Sequence, residues 1–305
     1  MMMTEPRAFT ALRGTLAHDV SLARHTSWRC GGRAEHLYTP ADREDLGAFV
    51  RQLDAREPLT VIGLGSNLLV RDGGVRGTVI VVHAALNVLN LDGGQIYAEA
   101  GVASPKVARF AATHGFADAE FLAGIPGTIG GALAMNAGCY GGETWHCVRA
   151  VEVLTRAGAF ERRLPSAYTI GYRSVRRNDG TMPDGIFTAT WLEFRAGDAA
   201  EARARITQYL QRRIATQPLD LPNAGSVFRN PEGDHAARLI ESCGLKGYTI
   251  GGARVSEKHA NFIVNPGGKA TAADIEAIIA HVRATVQQRT GIALEPEVRV
   301  IGDNV

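Results

Sequence analysis

The chain has only four cysteines in 305 residues, and none stands in a Cys-x-x-Cys pair or at ligand spacing from a histidine. Cys30, Cys139, Cys147 and Cys243 therefore point away from both a disulfide framework and a zinc site, so a reduced, cytoplasmic protein with no metal is expected. No stretch of about 18 apolar residues occurs, which argues against a membrane-spanning helix. The N-terminal residues 1–20 are interrupted by Glu5, Arg7, Arg13, His18 and Asp19 and lack the unbroken apolar stretch of a secretory signal. Excess charge is missing too: 33 basic against 31 acidic residues leave net +2, too little to argue for nucleic acid. Basic residues gather locally instead, at Arg173, Arg176 and Arg177 and again at Arg212 and Arg213, which suits an anionic small molecule. There is no internal repeat and no low-complexity linker.

Glycine is what the chain has in quantity: 35 residues, clustered at 31–32, 63–77, 124–142 and 244–252. Short β-branched runs at 59–62, 78–82 and 151–154 lie between the clusters, a pattern of brief strands and glycine turns that predicts an α+β protein. Helices are expected over 104–114, with Ser104-Pro105 as cap and first turn and Gly115 as stop, and over 198–215, with Ile206, Leu210 and Ile214 on one face. A short helix over 234–243 ends at Gly244. The clearest helix spans 271–289: Thr271 and Asp274 have capping-box spacing, and Ile275, Ile278, Ile279, Val282 and Val286 follow the helical period. A strand over 293–301 closes the chain. The length suggests two domains, though one large domain would also fit, and the boundary is expected near Gly197, giving 1–196 and 197–305.

Two glycine loops carry the first chemical signal. Ile62-Gly63-Leu64-Gly65-Ser66-Asn67-Leu68 runs out of a strand, yet Leu68 stands where a Rossmann fingerprint has its third glycine, and a second strand follows instead of a helix. Such a turn either offers backbone N–H groups to a diphosphate or simply closes a hairpin. The second loop, 121–132 followed by 135–143, sets Gly124, Pro126, Gly127, Gly130, Gly131 and Gly138 among Phe121, Leu122, Ile125, Ile129 and Met135. Backbone this costly to order is justified where a ligand approaches the main chain closely. Two such loops predict one long ligand with several phosphates.

The segments 26–32, 63–77 and 120–143 resemble the flavin loops of the UDP-N-acetylenolpyruvoylglucosamine reductase (MurB) family, within the wider vanillyl-alcohol-oxidase-like FAD domains. The resemblance continues in order through Tyr172-Arg173-Ser174, Asn223-Ala224-Gly225-Ser226-Val227-Phe228-Arg229-Asn230-Pro231, Lys258-His259-Ala260-Asn261-Phe262 and Leu294-Glu295-Pro296-Glu297-Val298. It implies a two-lobed FAD-binding domain, split near residue 85, and a smaller α/β substrate-binding domain. It also implies non-covalent FAD, NADPH as hydride donor, and UDP-N-acetylglucosamine enolpyruvate as substrate. With no insertion for a tyrosine-bearing lid loop, the chain resembles the shorter family branch, and a monomer is expected.

The resemblance assigns cofactor contacts to Gly63, Gly65, Ser66, Asn67 and Leu68, and to Gly124, Ile125, Pro126, Gly127, Thr128, Gly130, Gly131, Asn136 and Gly138. Its chemistry places hydride on the β carbon of an enolpyruvyl ether and leaves negative charge on the α carbon, spread into the substrate carboxylate. That step needs a cation at the carboxylate and a proton source at the α carbon. Arg173 suits the first need because a guanidinium grips a carboxylate bidentately, although by composition alone it reads as one arginine of a basic surface stretch. By resemblance Ser226 supplies the proton and Glu297 assists the enol acid, with Glu295 as the fallback; the bland readings are a turn serine and a solvent-facing edge. Tyr172, Asn230 and Arg213 are the expected substrate contacts, with Arg213 reading equally well as a solvated helix residue. Thr216 departs from the pattern, since some family members carry a lysine there; if that lysine binds the diphosphate or the nicotinamide cofactor, another cation must substitute. His25 is a weak candidate for a flavin contact. His259 has no partner at ligand spacing and reads as structural. Two rival readings are a different FAD oxidoreductase on the same flavin domain and a catalytically silent flavin or nucleotide-sugar binder.

Overall fold

The computed structural model describes residues 9–83 and 85–305, so the first eight residues of the N-terminal segment and Ala84, beside the expected lobe split, lie outside the described residues. The first sheet has four strands in the order Thr15–Ser21, Arg33–Thr39, Val75–Val81, Leu59–Ile62. Its outer pair is antiparallel and the other two pairings are parallel. The parallel connection from Arg33–Thr39 passes through α1 (Arg43–Gln52), whose Asp42 cap accepts from the Asp45 amide while Leu46, Phe49 and Val50 pack inward. The second sheet is wholly antiparallel, ordered Phe160–Arg163, Val148–Leu154, Ile186–Leu192, Gln95–Glu99, Leu89–Asp92. The chain crosses between the two sheets between Val81 and Leu89.

Helices α2 (Ser104–Thr113) and α3 (Ile129–Met135) and the single-turn α4 (Thr144–Cys147) cover the second sheet. Ala103, and not Ser104, is the cap residue of α2; Ser104 is buried within the first turn beside Pro105, where the fixed proline φ suits the helix start. Helix α5 (Ala199–Thr216) is capped by the Asp198 carboxylate, which accepts from the Ala200 and Glu201 amides. It buries Ala202 and Ile206 in the core of the second sheet, so packing continues across the expected boundary near Gly197. Ile214, placed on its inward face from spacing alone, is instead 63% exposed.

A further core belongs to α6 (Ala236–Ser242), α7 (Ala272–Thr290) and a three-stranded sheet of Thr249–Ile250, Ala253–Val255 and Ile263–Val264. The capping box of Thr271 and Asp274 opens α7, and Gly291 closes it in the left-handed conformation at φ +76°. The Asp72 carboxylate, 200 residues upstream, accepts from the amides of Ala272 and Ala273 at 3.0 and 2.9 Å. Caps of this kind contribute about 1 kcal/mol, and this one ties the first glycine loop's strand to the C-terminal core. Trp28 is fully buried in that same core and donates its indole N–H to the Ile263 carbonyl at 2.7 Å. The closing strand is shorter than expected: only Arg299–Ile301 is strand, and it pairs in parallel with Leu68–Val70. Pro296 has no N–H for a ladder, and residues 295–297 bond to the Ser226 loop instead.

Candidate active site

One cavity of about 500 Å³ runs between the glycine loops, the Tyr172 hairpin and the C-terminal part of the chain. Both expected loops form its wall, from Gly63 to Leu68 and from Gly124 to Thr128, joined by Gly131 and Gly138. The first loop leaves Leu59–Ile62 and enters Leu68–Val70 through Gly65 at φ +60°. A Cβ there would stand 2.0 Å from the His25 carbonyl oxygen, and one at Gly63 would stand 2.3 Å from Thr128 Oγ1. Glycine is thus enforced by close approach of one loop to its neighbours. His25 meets this loop through its carbonyl, and its ring is not part of the cavity wall.

The amides of Gly63, Leu64, Gly65, Ser66, Asn67, Gly127 and Thr128 donate to no acceptor among the described residues. Unpaired main-chain N–H groups gathered along one cavity wall suit an anion such as a diphosphate. Two of the expected cofactor contacts lie behind the wall. A Cβ at Gly130 would stand 2.9 Å from that of Ala100, so this glycine serves helix-to-strand packing. Asn136 is fully buried and its side chain bonds only to protein.

Arg173 sits at the tip of the hairpin formed by Tyr168–Gly171 and Ser174–Arg177. Its φ of +53° is left-handed, which costs a residue with a Cβ about 1–2 kcal/mol. The guanidinium stands over the Tyr172 ring, 4.9 Å from its centroid, while Nη2 donates to the Gly138 carbonyl at 2.8 Å. Nε donates to Glu297 Oε1 at 2.7 Å. Both side chains of this ion pair are largely shielded, at 15% and 13% exposure, so the pair is not the weak surface kind.

Ser226 follows Gly225, whose φ of +75° turns the loop and whose amide donates to Asn223 Oδ1. Buried Asn261 fixes what comes next: its carbonyl accepts from the Val227 amide, its Oδ1 from the Phe228 amide, and its Nδ2 donates to the Phe228 carbonyl. The Glu297 amide then donates to the Val227 carbonyl at 2.7 Å, which sets Glu297 beside Ser226. From the other side Asn67 Nδ2 donates to the Glu297 carbonyl at 3.1 Å. Arg173, Ser226 and Glu297 all line the cavity. Glu295 does not; its side chain is 75% exposed and lies 3.7 Å from Arg229.

The expected substrate contacts Tyr172, Asn230 and Arg213 are on the wall as well. Tyr172 is half exposed, and Asn230 accepts from the Ala236 amide at the start of α6. Arg213 bonds Gln217 Oε1 at 2.8 Å and has no carboxylate partner among the described residues. Burial pushes its guanidinium below the usual range, offset in part by Cys139 and Tyr140. Thr216 faces away, with its hydroxyl on the Arg212 carbonyl. His259 packs edge-on to Phe262, and burial, with Lys246 adding to it, pushes its imidazole pKa down. Among the described residues no cluster fit to hold a metal occurs.

Cys139, Met182, Gln217 and Arg299 also line the cavity, and none was expected there. Cys139 and Gln217 each adjoin a residue that had been singled out. Met182 gave no signal, since it reaches the site only through the fold of the 178–185 loop.

Comparison with known proteins accords with this geometry. Residues 34–162 match the model of the FAD binding domain, and residues 217–301 match the C-terminal domain of UDP-N-acetylenolpyruvoylglucosamine reductase. The reductase of that name from Nitrosospira multiformis is 58% identical, covering 96% of this chain and 90% of its own. The one from Methylococcus capsulatus is 54% identical, with 99% of both chains covered. The crystal structure of UDP-N-acetylenolpyruvylglucosamine reductase (MurB) from Thermus caldophilus superposes with a TM-score of 0.79 at 35% identity, covering 95% of this chain and 99% of its own. Whole-length identity of this order, with glycine loops, arginine hairpin and serine loop meeting at one cavity, places the chain in the UDP-N-acetylenolpyruvoylglucosamine reductase (MurB) family.

Proposed function

We propose that the protein catalyses the NADPH-dependent, FAD-mediated reduction of UDP-N-acetylglucosamine enolpyruvate to UDP-N-acetylmuramate, a step in making peptidoglycan precursors. One observation carries this reading: Arg173, Ser226 and Glu297 come from three distant parts of the chain and meet on one wall of the cavity that the glycine loops open into. FAD fits the residues present, because the unpaired amides of 63–67 and 127–128 match a diphosphate and the glycines leave room for it. When bound, FAD relays hydride from NADPH to the β carbon of the enolpyruvyl group.

The chain's own residues do the rest. Arg173 binds the substrate carboxylate and offsets the charge that builds up there. Ser226 gives its hydroxyl proton to the α carbon. Glu297, held by Arg173 through Oε1, leaves Oε2 to bond the developing enol acid. Arg213 takes the place of the lysine absent at Thr216 and pairs with the sugar-nucleotide diphosphate, while Tyr172 and Asn230 contact the sugar nucleotide. A two-lobed flavin domain over 1–196 holds the cofactor and a substrate-binding domain over 197–305 holds the sugar nucleotide, a division supported by the family match to the C-terminal domain over residues 217–301. The enzyme acts in the cytoplasm as a monomer and thereby serves cell shape and division.

The test is the visible spectrum of the purified protein and its NADPH oxidation. A yellow protein that NADPH bleaches, and that oxidises NADPH steadily only with the enolpyruvyl sugar, supports the proposal. Bleaching with no response to the sugar favours a different FAD oxidoreductase, and a yellow protein inert to both favours a silent binder.

A further inference from the structure

Asn136, expected among the cofactor contacts, closes α3 in the left-handed conformation (φ +46°, ψ 54°) with none of its surface exposed. Its side chain is fully engaged. Oδ1 accepts from the Trp145 amide at 3.1 Å, and Nδ2 donates to Glu143 Oε2 at 2.8 Å and to the Gly171 carbonyl at 3.1 Å. Its own carbonyl accepts from Arg173 Nη1 at 3.4 Å.

Gly171 is the residue from which the hairpin turns, since it pairs with Ser174 across the tip that Tyr172 and Arg173 occupy. A two-residue hairpin tip with positive φ favours glycine or asparagine, and an arginine there needs support from outside the hairpin. The support comes from two sides: Asn136 holds the Gly171 carbonyl, and Arg229 Nη2 reaches the Arg173 carbonyl at 3.5 Å. The guanidinium itself rests on the carbonyls of Asn136 and Gly138.

We infer that Asn136 is a positioning residue for Arg173, anchoring the hairpin tip to the floor of the second glycine loop so that the guanidinium meets the substrate carboxylate in a fixed orientation. The inference rests on the reading of Arg173 as the carboxylate-binding cation. It separates two tasks within one loop: Gly127 and Thr128 face the cavity with free amides, while Asn136, behind the wall, aims a side chain used only in the second half-reaction.

The experiment follows each half-reaction of the flavin-loaded enzyme by anaerobic stopped-flow, in Asn136→Gly, Arg173→Lys and the double variant. Glycine keeps the left-handed backbone and deletes only the side-chain bonds. Asn136→Gly is expected to retain flavin, to be reduced by NADPH within about threefold of wild type, and to be reoxidised by the enolpyruvyl sugar roughly 10- to 100-fold more slowly, as displacement of a positioned group costs. Because both residues act through one contact, the double variant loses less than about threefold beyond Arg173→Lys alone.

Should Asn136→Gly fail to fold, Asn136→Asp with Glu143→Gln keeps volume and the bond between those two positions while removing the donor to Gly171, and the same pattern is expected of it. Equal slowing of both half-reactions, loss of flavin from the folded variants, or multiplicative loss in the double variant overturns the inference. An intact Asn136→Gly beside an impaired Arg173→Lys overturns it alone, whereas wild-type reoxidation in Arg173→Lys overturns the underlying role of Arg173.

Discussion

Arg173 and Glu297 are 124 residues apart in the chain, and the Nε of the first donates to Oε1 of the second at 2.7 Å inside the cavity. The contact joins the hairpin at the end of the flavin-binding part to the last segment before the closing strand. It orients both groups: the arginine keeps Nη1 and Nη2 on the carbonyls of the second glycine loop, and the glutamate keeps Oε2 without a hydrogen bond among the described residues.

Arg173→Lys retains the positive charge and loses the fork. A lysine ammonium cannot serve Glu297, the Gly138 carbonyl and a substrate carboxylate with one fixed planar geometry. Oxidation of reduced flavin by the enolpyruvyl sugar should slow by roughly 10- to 100-fold, while reduction by NADPH changes little. Full turnover in this variant would remove carboxylate binding from Arg173.

The two glutamates of the closing segment separate cleanly. Glu297→Gln should impair reoxidation of reduced flavin, because it weakens the ion pair and alters the group facing the substrate. Glu295→Gln, at an exposed site outside the cavity wall, should stay near wild type, with stability changed by no more than about 0.5 kcal/mol. Reversed behaviour of the pair would move the role to Glu295.

Gly65→Ala tests the cradle. Its left-handed φ and the 2.0 Å approach to the His25 carbonyl leave no room for a methyl group. Stability should fall by more than about 1 kcal/mol, a drop in melting temperature of at least about 1.5 °C, together with loss of bound flavin. A variant with wild-type melting and flavin content would show that the loop does not need glycine there.

Cys139 gives a pH test. Burial pushes its thiol pKa up to about 11, even though Arg213, Arg173 and the Gly124 amide all pull it down. The sign follows directly: a raised pKa keeps the thiol neutral at ordinary pH, so alkylation is slow and its rate climbs with pH until about 11. Mass spectrometry of the Cys139 peptide after timed alkylation measures this. A rate that levels off near pH 8 would contradict the burial seen here. Since Cys139 lines the cavity, the enolpyruvyl sugar should protect it.

Local signals proved readable and long-range ones did not. Thr271 and Asp274 announced α7, Asp198 stood one residue before α5, and Gly115 followed α2, because caps and stops are set by a few adjacent residues. Spacing failed where packing decides: Ile214 keeps the helical period of Ile206 but lies past the end of the core that α5 covers. The closing strand was overdrawn because alternation continues through Leu294 and Val298, while Pro296 breaks the ladder. Ordered motifs placed Arg173, Ser226 and Glu297 in one cavity, yet no motif could show that Asn136 faces away from it. Nor could sequence reveal Asp72 as a cap for a helix 200 residues downstream, since that bond exists only after the first glycine strand and the C-terminal core have met.

The proton that completes the reduction is assigned to Ser226. Ser226→Ala should be reduced by NADPH at close to the wild-type rate, and its reduced flavin, mixed anaerobically with the enolpyruvyl sugar, should reoxidise slower by about 100-fold or more. Reoxidation at the wild-type rate, or an equal loss in both halves, would contradict it.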